Sequence, residues 1–219
     1  MSIFQIHKAD RGFISSLLVS LVILFVALVI NYYAGTYATE VASNPVTDII
    51  LSNTPVLDVD GIFVYGAIVL WVGIIIVLMS DIKLAPFTIK STALFVFVRA
   101  IFITLTHIAP FPESINLVSN FILNKLTFGA DLFFSGHTGL PFLMALIYWE
   151  HRTARAVFLG ASIIFGVSAV LGHLHYSIDV LAAYFITYTI FHIAERLFSD
   201  DRVVFWESRL FASVFDKKQ

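Results

Sequence analysis

The 219-residue sequence contains no cysteine, and only 13% of its residues are charged. The lack of cysteine excludes disulfide bonds, thiolate metal ligands and cysteine nucleophiles. The charged share is about half that of a soluble domain. The net charge of −2 gives no indication of a nucleic-acid partner. In place of charge the chain is 59% hydrophobic, with a mean hydropathy of +0.91, which predicts a protein embedded in a lipid bilayer.

Apolar stretches of about 17 to 25 residues recur along the chain, and this length spans the hydrocarbon core as an α-helix. The first is longer than a signal-peptide core and has no clear cleavage site closely after it, so we interpret it as a retained helix. We therefore expect an all-α protein, a six-transmembrane-helix bundle that forms a single domain over residues 1–219. The predicted spans are residues 13–33, 62–79, 91–109, 132–149, 154–174 and 178–193. In the tail, apolar residues at helical spacing predict a helix on the membrane surface over residues 200–215.

The cations predict the orientation of these spans. Of the 13 lysines and arginines, Arg99 falls inside the third span and Lys125 in the loop before the fourth. All the others lie in the termini or in the second and fourth loops, on one side of the membrane. Positive charge marks the cytoplasmic side, so both termini are expected there. His137 and His175 then lie toward the opposite, non-cytoplasmic side.

Two short strings carry most of the chemical information. They are Phe134-Ser135-Gly136-His137-Thr138 and His175-Tyr176-Ser177-Ile178-Asp179. In the second string a carboxylate four residues after a histidine can hold its imidazole by a hydrogen bond, which suits a nucleophile that attacks phosphorus. Ser177 is a reasonable N-cap of the last span; if it caps, His175 lies just outside the helix. The alternative is a structural histidine that caps a helix beside an acid.

The first string suits proton transfer. His137 can act as general acid for a leaving alcohol and then as general base for an acceptor. The hydroxyls of Ser135 and Thr138 can donate to phosphate oxygens. The alternative for His137 is a satisfied polar residue at the membrane interface.

Arg99 is a costly residue for the interior of an apolar span, and such residues usually face a polar interior with a partner. A guanidinium can neutralise phosphate oxygens by bidentate contact. Arg99 can equally form a structural pair with Asp131 or Asp179. Asp131 is a weaker candidate for a contact with substrate. His173 is a candidate metal ligand beside His175, but no third nitrogen or sulfur donor is obvious, so we expect neither a metal nor another cofactor.

The stretches from Phe128 to Thr138 and from His175 to Tyr184 resemble the two catalytic motifs of the sphingomyelin synthase family, a branch of the type 2 phosphatidic acid phosphatase (PAP2) superfamily. The segment from Arg99 to Pro110 is similar to that family's motif in the third helix. The resemblance covers roughly residues 99–192. It implies a PAP2-type bundle of six helices and metal-independent transfer of a phospho-head-group on the non-cytoplasmic side. It also implies that the histidine–aspartate pair is the nucleophile and that His137 is the acid and base.

Two departures distinguish the chain from the wider phosphatase superfamily. That superfamily has a Lys-x6-Arg-Pro motif, whereas Lys90 and Arg99 are nine positions apart here and Ala100 follows the arginine. It also has Ser-Arg seven residues before the second histidine, whereas Ser168 is followed here by Ala169. Both departures favour the synthase branch.

The sequence thus predicts an enzyme that takes a phospholipid donor and a lipid hydroxyl as acceptor, of ceramide or diacylglycerol type. With water as acceptor, the same residues would make a lipid phosphatase or a phospholipase C-type hydrolase. A hypothesis of another class is a transporter or scramblase that uses these residues as a relay, although no similar halves are visible. The partners expected are the bilayer and these lipids, and the sequence is compatible with a homo-oligomer.

Overall fold

The computed structural model of the chain describes the backbone of residues 3–112 and 133–202, and the side chains of residues 12–112 and 133–202. Every regular element in these two stretches is helical. Six helices of three turns or more follow in order: α1 Ile3–Glu40, α2 Asp60–Ser80, α3 Ala85–Leu105, α4 Gly136–Ile147, α5 Arg152–Leu171 and α6 Ser177–Leu197.

Five of the six helices are long and apolar enough to cross a membrane, and α4 is not. The 12 residues of α4 extend over about 18 Å, against about 30 Å of hydrocarbon. The predicted span over residues 132–149 is therefore wrong as a continuous helix. The chain just before Gly136 is not helical, because Ser135, the N-cap of α4, has an extended conformation with φ −60° and ψ 114°. His137 accordingly lies in the first turn of α4.

The other boundaries differ from the predictions by a few residues to nearly three turns. α1 runs well past both ends of the predicted span. α3 begins six residues earlier than expected because Pro86 stands in its first turn, where the ring favours a helix start. α5 ends at Leu171, three residues early, and α6 continues four residues past 193. The predicted surface helix over residues 200–215 lies almost entirely outside the described residues.

The centre of the bundle is α4, whose short apolar helix packs against α5 and α6. Leu143, Met144 and Ala145 are completely buried there. Gly139 allows this close packing: a Cβ at this position would lie 2.7 Å from the ring of Phe95 on α3 and 2.8 Å from Thr187 Oγ1 on α6. α4 therefore holds the helices that carry the candidate site in contact with one another.

α1 lies at the edge of the bundle, on α3. Small residues make this contact, with Ala34 of α1 beside Ala100 and Ile103 of α3. Much of the rest of α1, together with one face each of α2, α5 and α6, consists of exposed Leu, Ile, Val and Phe side chains. Such surfaces suit contact with lipid tails, and the described helices are compatible with a multi-pass membrane protein.

Candidate active site

The peptide group between Phe134 and Ser135 connects three helices at one end of the bundle. Arg99 on α3 donates from Nε to the carbonyl oxygen of Phe134 at 3.0 Å. The N–H of Ser135 donates to the carbonyl oxygen of Asp179 on α6 at 3.2 Å. One peptide unit at the start of α4 is thus held by the arginine and by the backbone of the aspartate that the sequence singled out.

This connection brings two helix N-termini together. Ser135 is the N-cap of α4, and Asp179 lies in the first turn of α6. The N-terminus of a helix carries a partial positive charge and N–H groups without partners in the helix. Arg99, whose residue surface is 9% exposed, adds a full positive charge beside them. At the start of α6, the N–H groups of Tyr176 and Ser177 already donate to the carboxylates of Asp179 and Asp48. The start of α4 beside Arg99 is therefore the part of this end that favours an anion such as a phosphate ester.

His175 precedes α6 and is not part of it. The N-cap of α6 is Tyr176, so the expectation that Ser177 caps the helix is corrected: Ser177 is its first residue. The carboxylate of Asp179 accepts the N–H of Tyr176 at 2.9 Å through Oδ2. The same Oδ2 lies 3.7 Å from Nδ1 of His175, a contact that is longer than a hydrogen bond. The conformation of the segment before the helix therefore sets how His175 and Asp179 face each other. Nδ1 is the ring nitrogen that faces the carboxylate, and Nε2 is the other ring nitrogen.

His137 is the second residue of α4, and its ring is half-buried between two aromatic rings. The centroid of Phe63 on α2 lies 4.2 Å away and that of Phe165 on α5 lies 5.8 Å away. Two apolar rings restrict the imidazole to a narrow range of orientations. Phe63 and Phe165 were not singled out from the sequence, where nothing separates them from the chain's 22 phenylalanines.

The two hydroxyls expected near phosphate are both completely buried. Thr138 Oγ1 donates to Ser135 Oγ at 3.1 Å. The carbonyl oxygen of Thr138 accepts the hydroxyl of Ser162 on α5 at 2.8 Å. In this arrangement Ser135, and not Thr138, has a hydroxyl proton available for another acceptor.

Gly136 lies against the arginine. A Cβ at this position would be 3.2 Å from Nε of Arg99 and 3.6 Å from its Cζ. The missing side chain lets the guanidinium approach the start of α4 closely enough to bond the carbonyl of Phe134.

The remaining sequence candidates fall elsewhere. Asp131 lies outside the described residues. His173 is 1% exposed as a residue, and Nε2 of its ring lies 3.4 Å from Thr54 Oγ1. Phe111 packs edge-on against that ring, and the backbone of His173 adopts φ 53°. His173 is thus directed into the loop between α1 and α2.

Asp48 and Tyr176 are residues that the sequence reading did not single out as part of the site. Asp48 is a buried acid in the loop between α1 and α2, and it accepts two hydrogen bonds from Ser177. Tyr176 is 2% exposed and fills the space beside His175. In the sequence, Asp48 is one of several acids in a loop without bases. No local pattern connects it to Ser177, which lies 129 positions later.

Comparison with known proteins supports one superfamily. The family model described as the PAP2 superfamily C-terminal domain matches residues 129–196, about a third of the chain, which include α4 to α6 and both histidine strings. This match supports assignment to the PAP2 superfamily, whose members are generally enzymes that act as phosphatases or phosphotransferases. No curated protein and no solved structure matched the chain.

Proposed function

We propose that this protein is a membrane enzyme that moves the phospho-head-group of a phospholipid to a lipid hydroxyl through a phosphohistidine intermediate. The observation that carries the proposal is the hydrogen bond between Ser135 and Asp179. It joins the N-termini of α4 and α6 beside the guanidinium of Arg99. A phosphodiester bound at the start of α4 would meet the full positive charge of Arg99 and the partial positive charge of that helix end, which suits the charge that develops on its oxygens.

In the proposed first step, Nε2 of His175 attacks the phosphorus of the donor. The bond from phosphorus to the diacylglycerol oxygen breaks, and His137 gives its proton to that oxygen. Asp179 faces Nδ1 of His175 at 3.7 Å, so it favours the tautomer with hydrogen on Nδ1, which puts the attacking lone pair on Nε2. The guanidinium of Arg99 neutralises charge on the phosphate oxygens, and the hydroxyl of Ser135 donates a hydrogen bond to one of them. In the same proposal, Thr138 acts through Ser135, whose hydroxyl oxygen it holds by a hydrogen bond, and Asp131 contacts the substrate.

In the second step, His137 removes the proton from an acceptor hydroxyl, whose oxygen attacks the phosphorus. The bond between phosphorus and Nε2 breaks, and His175 returns to its starting state. The acceptor determines the product. A ceramide or diacylglycerol hydroxyl makes a new phospholipid, as the likeness to sphingomyelin synthases suggests, while water releases the head group by hydrolysis. The site is proposed to open on the non-cytoplasmic side, with both termini in the cytoplasm.

The test is a transfer assay with purified protein in vesicles. The vesicles contain phospholipids labelled in the head group, offered one class at a time with ceramide, with diacylglycerol or with neither. We expect wild-type protein to label one added acceptor. His175→Ala and His137→Ala should each lower the rate by at least about 1,000-fold, because the nucleophile and the proton donor act as one unit.

His107→Ala is the matched control. His107 lies just after α3, and its ring contacts the carbonyl of Thr104 and the ring of Tyr37 on α1, neither of which belongs to the proposed site. It should keep full activity. Full activity in either His175→Ala or His137→Ala would contradict the mechanism. Release of free head group without an acceptor would identify the hydrolase. Head-group movement across the bilayer with no covalent product would identify the transporter or scramblase.

A further inference from the structure

The carboxylate of Asp48 accepts four hydrogen bonds. Oδ1 accepts the backbone N–H of Ile50 at 2.8 Å and that of Leu51 at 3.2 Å. Oδ2 accepts the backbone N–H and the hydroxyl of Ser177, both at 2.8 Å. Burial raises the pKa of Asp48, but the hydrogen bonds from Ser177, Leu51 and Ile50 lower it further than burial raises it, so the net pKa lies below its usual value. The group is therefore an ionised acceptor that ties the loop to the start of α6.

The position of Ser177 gives this contact its importance. Ser177 lies two residues after His175 and two before Asp179. Two different carboxylates accept two successive backbone N–H groups. Asp179, from within α6, accepts the N–H of Tyr176. Asp48, from the loop between α1 and α2, accepts the N–H of Ser177. The segment that carries His175 is thus held from outside its own helix.

Further contacts fix the same segment. The hydroxyl of Tyr176 donates to the carbonyl of Ala109 at 2.8 Å and accepts the N–H of Val46 at 3.2 Å. The N–H of His175 donates to the carbonyl of Ala169 near the end of α5 at 3.3 Å. The backbone around His175 is therefore held on one side by α5 and on the other by the loop between α1 and α2. We call Asp48, Val46, Tyr176 and Ser177 the outer clamp.

We propose that Asp48 is a positioning residue for His175, and that the outer clamp sets the distance between the imidazole and the phosphorus of the donor. This inference rests on the proposed role of His175 as the nucleophile. The His175–Asp179 contact of 3.7 Å is longer than a hydrogen bond, and the outer clamp fixes the backbone from which the imidazole projects. A displacement of about 1 Å at a reacting group can reduce a rate by roughly 100-fold.

The test compares Asp48→Asn and Asp48→Ala with Asp58→Asn. Asp58 is an exposed acid in the same loop, and it accepts the local N–H of Asp60. In Asp48→Asn the amide nitrogen replaces one acceptor oxygen, so at least one pair of hydrogen bonds is lost whichever way the amide is turned. We expect kcat to fall by about 10- to 100-fold, with KM changed by less than about two-fold. Asp58→Asn should retain wild-type kinetics.

Two further measurements separate positioning from a general structural role. The melting temperature of the Asp48 variants should fall by no more than about 5 °C. Amide hydrogen exchange over residues 173–180 should become faster, with the other helices unchanged. A kcat per folded molecule equal to that of wild type would overturn the proposal, even if the melting temperature falls.

Ser177→Ala provides a milder variant if the Asp48 variants do not fold. It removes the hydroxyl but keeps the backbone N–H, so we expect a several-fold loss of kcat. The Asp48→Ala, Ser177→Ala double variant should be no slower than Asp48→Ala alone, because both changes break one contact. Additive losses, or no loss in Ser177→Ala, would overturn the clamp. Absence of any transfer by wild-type protein would instead contradict the proposed function, and the exchange measurement would still test the clamp.

Discussion

Gly136 and Arg99 show how much of the candidate site depends on single atoms. The Nε of Arg99 is held at 3.0 Å from the carbonyl of Phe134, and a Cβ on residue 136 would lie 3.2 Å from that Nε. The arginine cannot withdraw to make room without losing this hydrogen bond. The absence of one methyl group thus places a cation beside the starts of α4 and α6.

We predict that Gly136→Ala lowers kcat/KM by about 10-fold or more, because the guanidinium moves away from the bound phosphate. Gly160→Ala is the control, since nothing lies within 4 Å of a Cβ at that position in α5. The control should be as active as wild type and slightly more stable, by about 0.5–1 kcal/mol. Steady-state kinetics and melting curves of the two variants check this prediction. Unchanged kcat/KM in Gly136→Ala would show that the position of Arg99 does not matter.

At this scale the sequence indicated Arg99, Ser135 and Asp179, and the structure joins them in one network. Each stands out locally: a cation in an apolar span, or a polar residue in a recognisable motif. Asp48 does not stand out, because its importance comes from a contact with Ser177 that only the tertiary structure creates. The sequence therefore points to residues that can do chemistry, whereas it does not point to the residues that position their side chains.

At the scale of elements, an ion pair fastens the chain after α6 to the first and third helices. Lys90 on α3 pairs with Asp201, and both side chains are 13% exposed. Ser16 on α1 accepts a hydrogen bond from Lys90 and donates one to Asp201. This contact closes the bundle at the end opposite the candidate site.

We predict that Lys90→Ala lowers the free energy of unfolding by roughly 1–3 kcal/mol, because it leaves a half-buried carboxylate without its cation. Lys83→Ala, at an exposed position in the preceding turn, should change it by less than about 0.5 kcal/mol. Thermal unfolding in detergent micelles measures both. Equal stability of the two variants would show that the pair contributes nothing.

The loop between α1 and α2 should lend stability to α6 in a way that depends on pH. The pKa of Asp48 is lower in the folded protein than its usual value of 3.8. Its hydrogen bonds therefore contribute fully above the unfolded pKa and are lost as the pH falls through the folded one. We predict that the stability difference between wild type and Asp48→Asn is constant from about pH 8 to pH 5 and shrinks only below about pH 4. Melting temperatures across this range check it, and a difference that already shrinks between pH 7 and pH 5 would contradict it.

Elements were predictable where hydrophobic length alone decides them. α2 and α6 lie close to their predicted ranges because each is one apolar run bounded by polar residues. α4 was not predictable in this way. The stretch from 132 to 149 is apolar except for its Ser-Gly-His-Thr motif. Residues 133–135 nevertheless lie outside the helix, where the N–H of Ser135 bonds the carbonyl of Asp179. Hydropathy counts apolar residues and carries no information about such a tertiary hydrogen bond.

At the scale of the whole molecule, the orientation in the membrane is open to direct test because the chain has no cysteine. Single cysteines can be placed at Asn44, in the loop before α2, and at Lys83, in the turn after it; both positions are exposed. We predict that a membrane-impermeant maleimide labels Asn44→Cys on intact cells and labels Lys83→Cys only after permeabilisation. The reverse pattern would place the histidines in the cytoplasm and contradict the proposed orientation.

The central claim is that His175 carries the phospho-head-group between donor and acceptor, and trapping that species tests it most directly. Protein is mixed with a phospholipid labelled at phosphorus and denatured in alkali, where a bond between phosphorus and histidine survives. The labelled peptide is then located by mass. The account predicts label on the peptide that contains His175 and none in His175→Ala. Turnover without label on that peptide, or label on His137 instead, would contradict it.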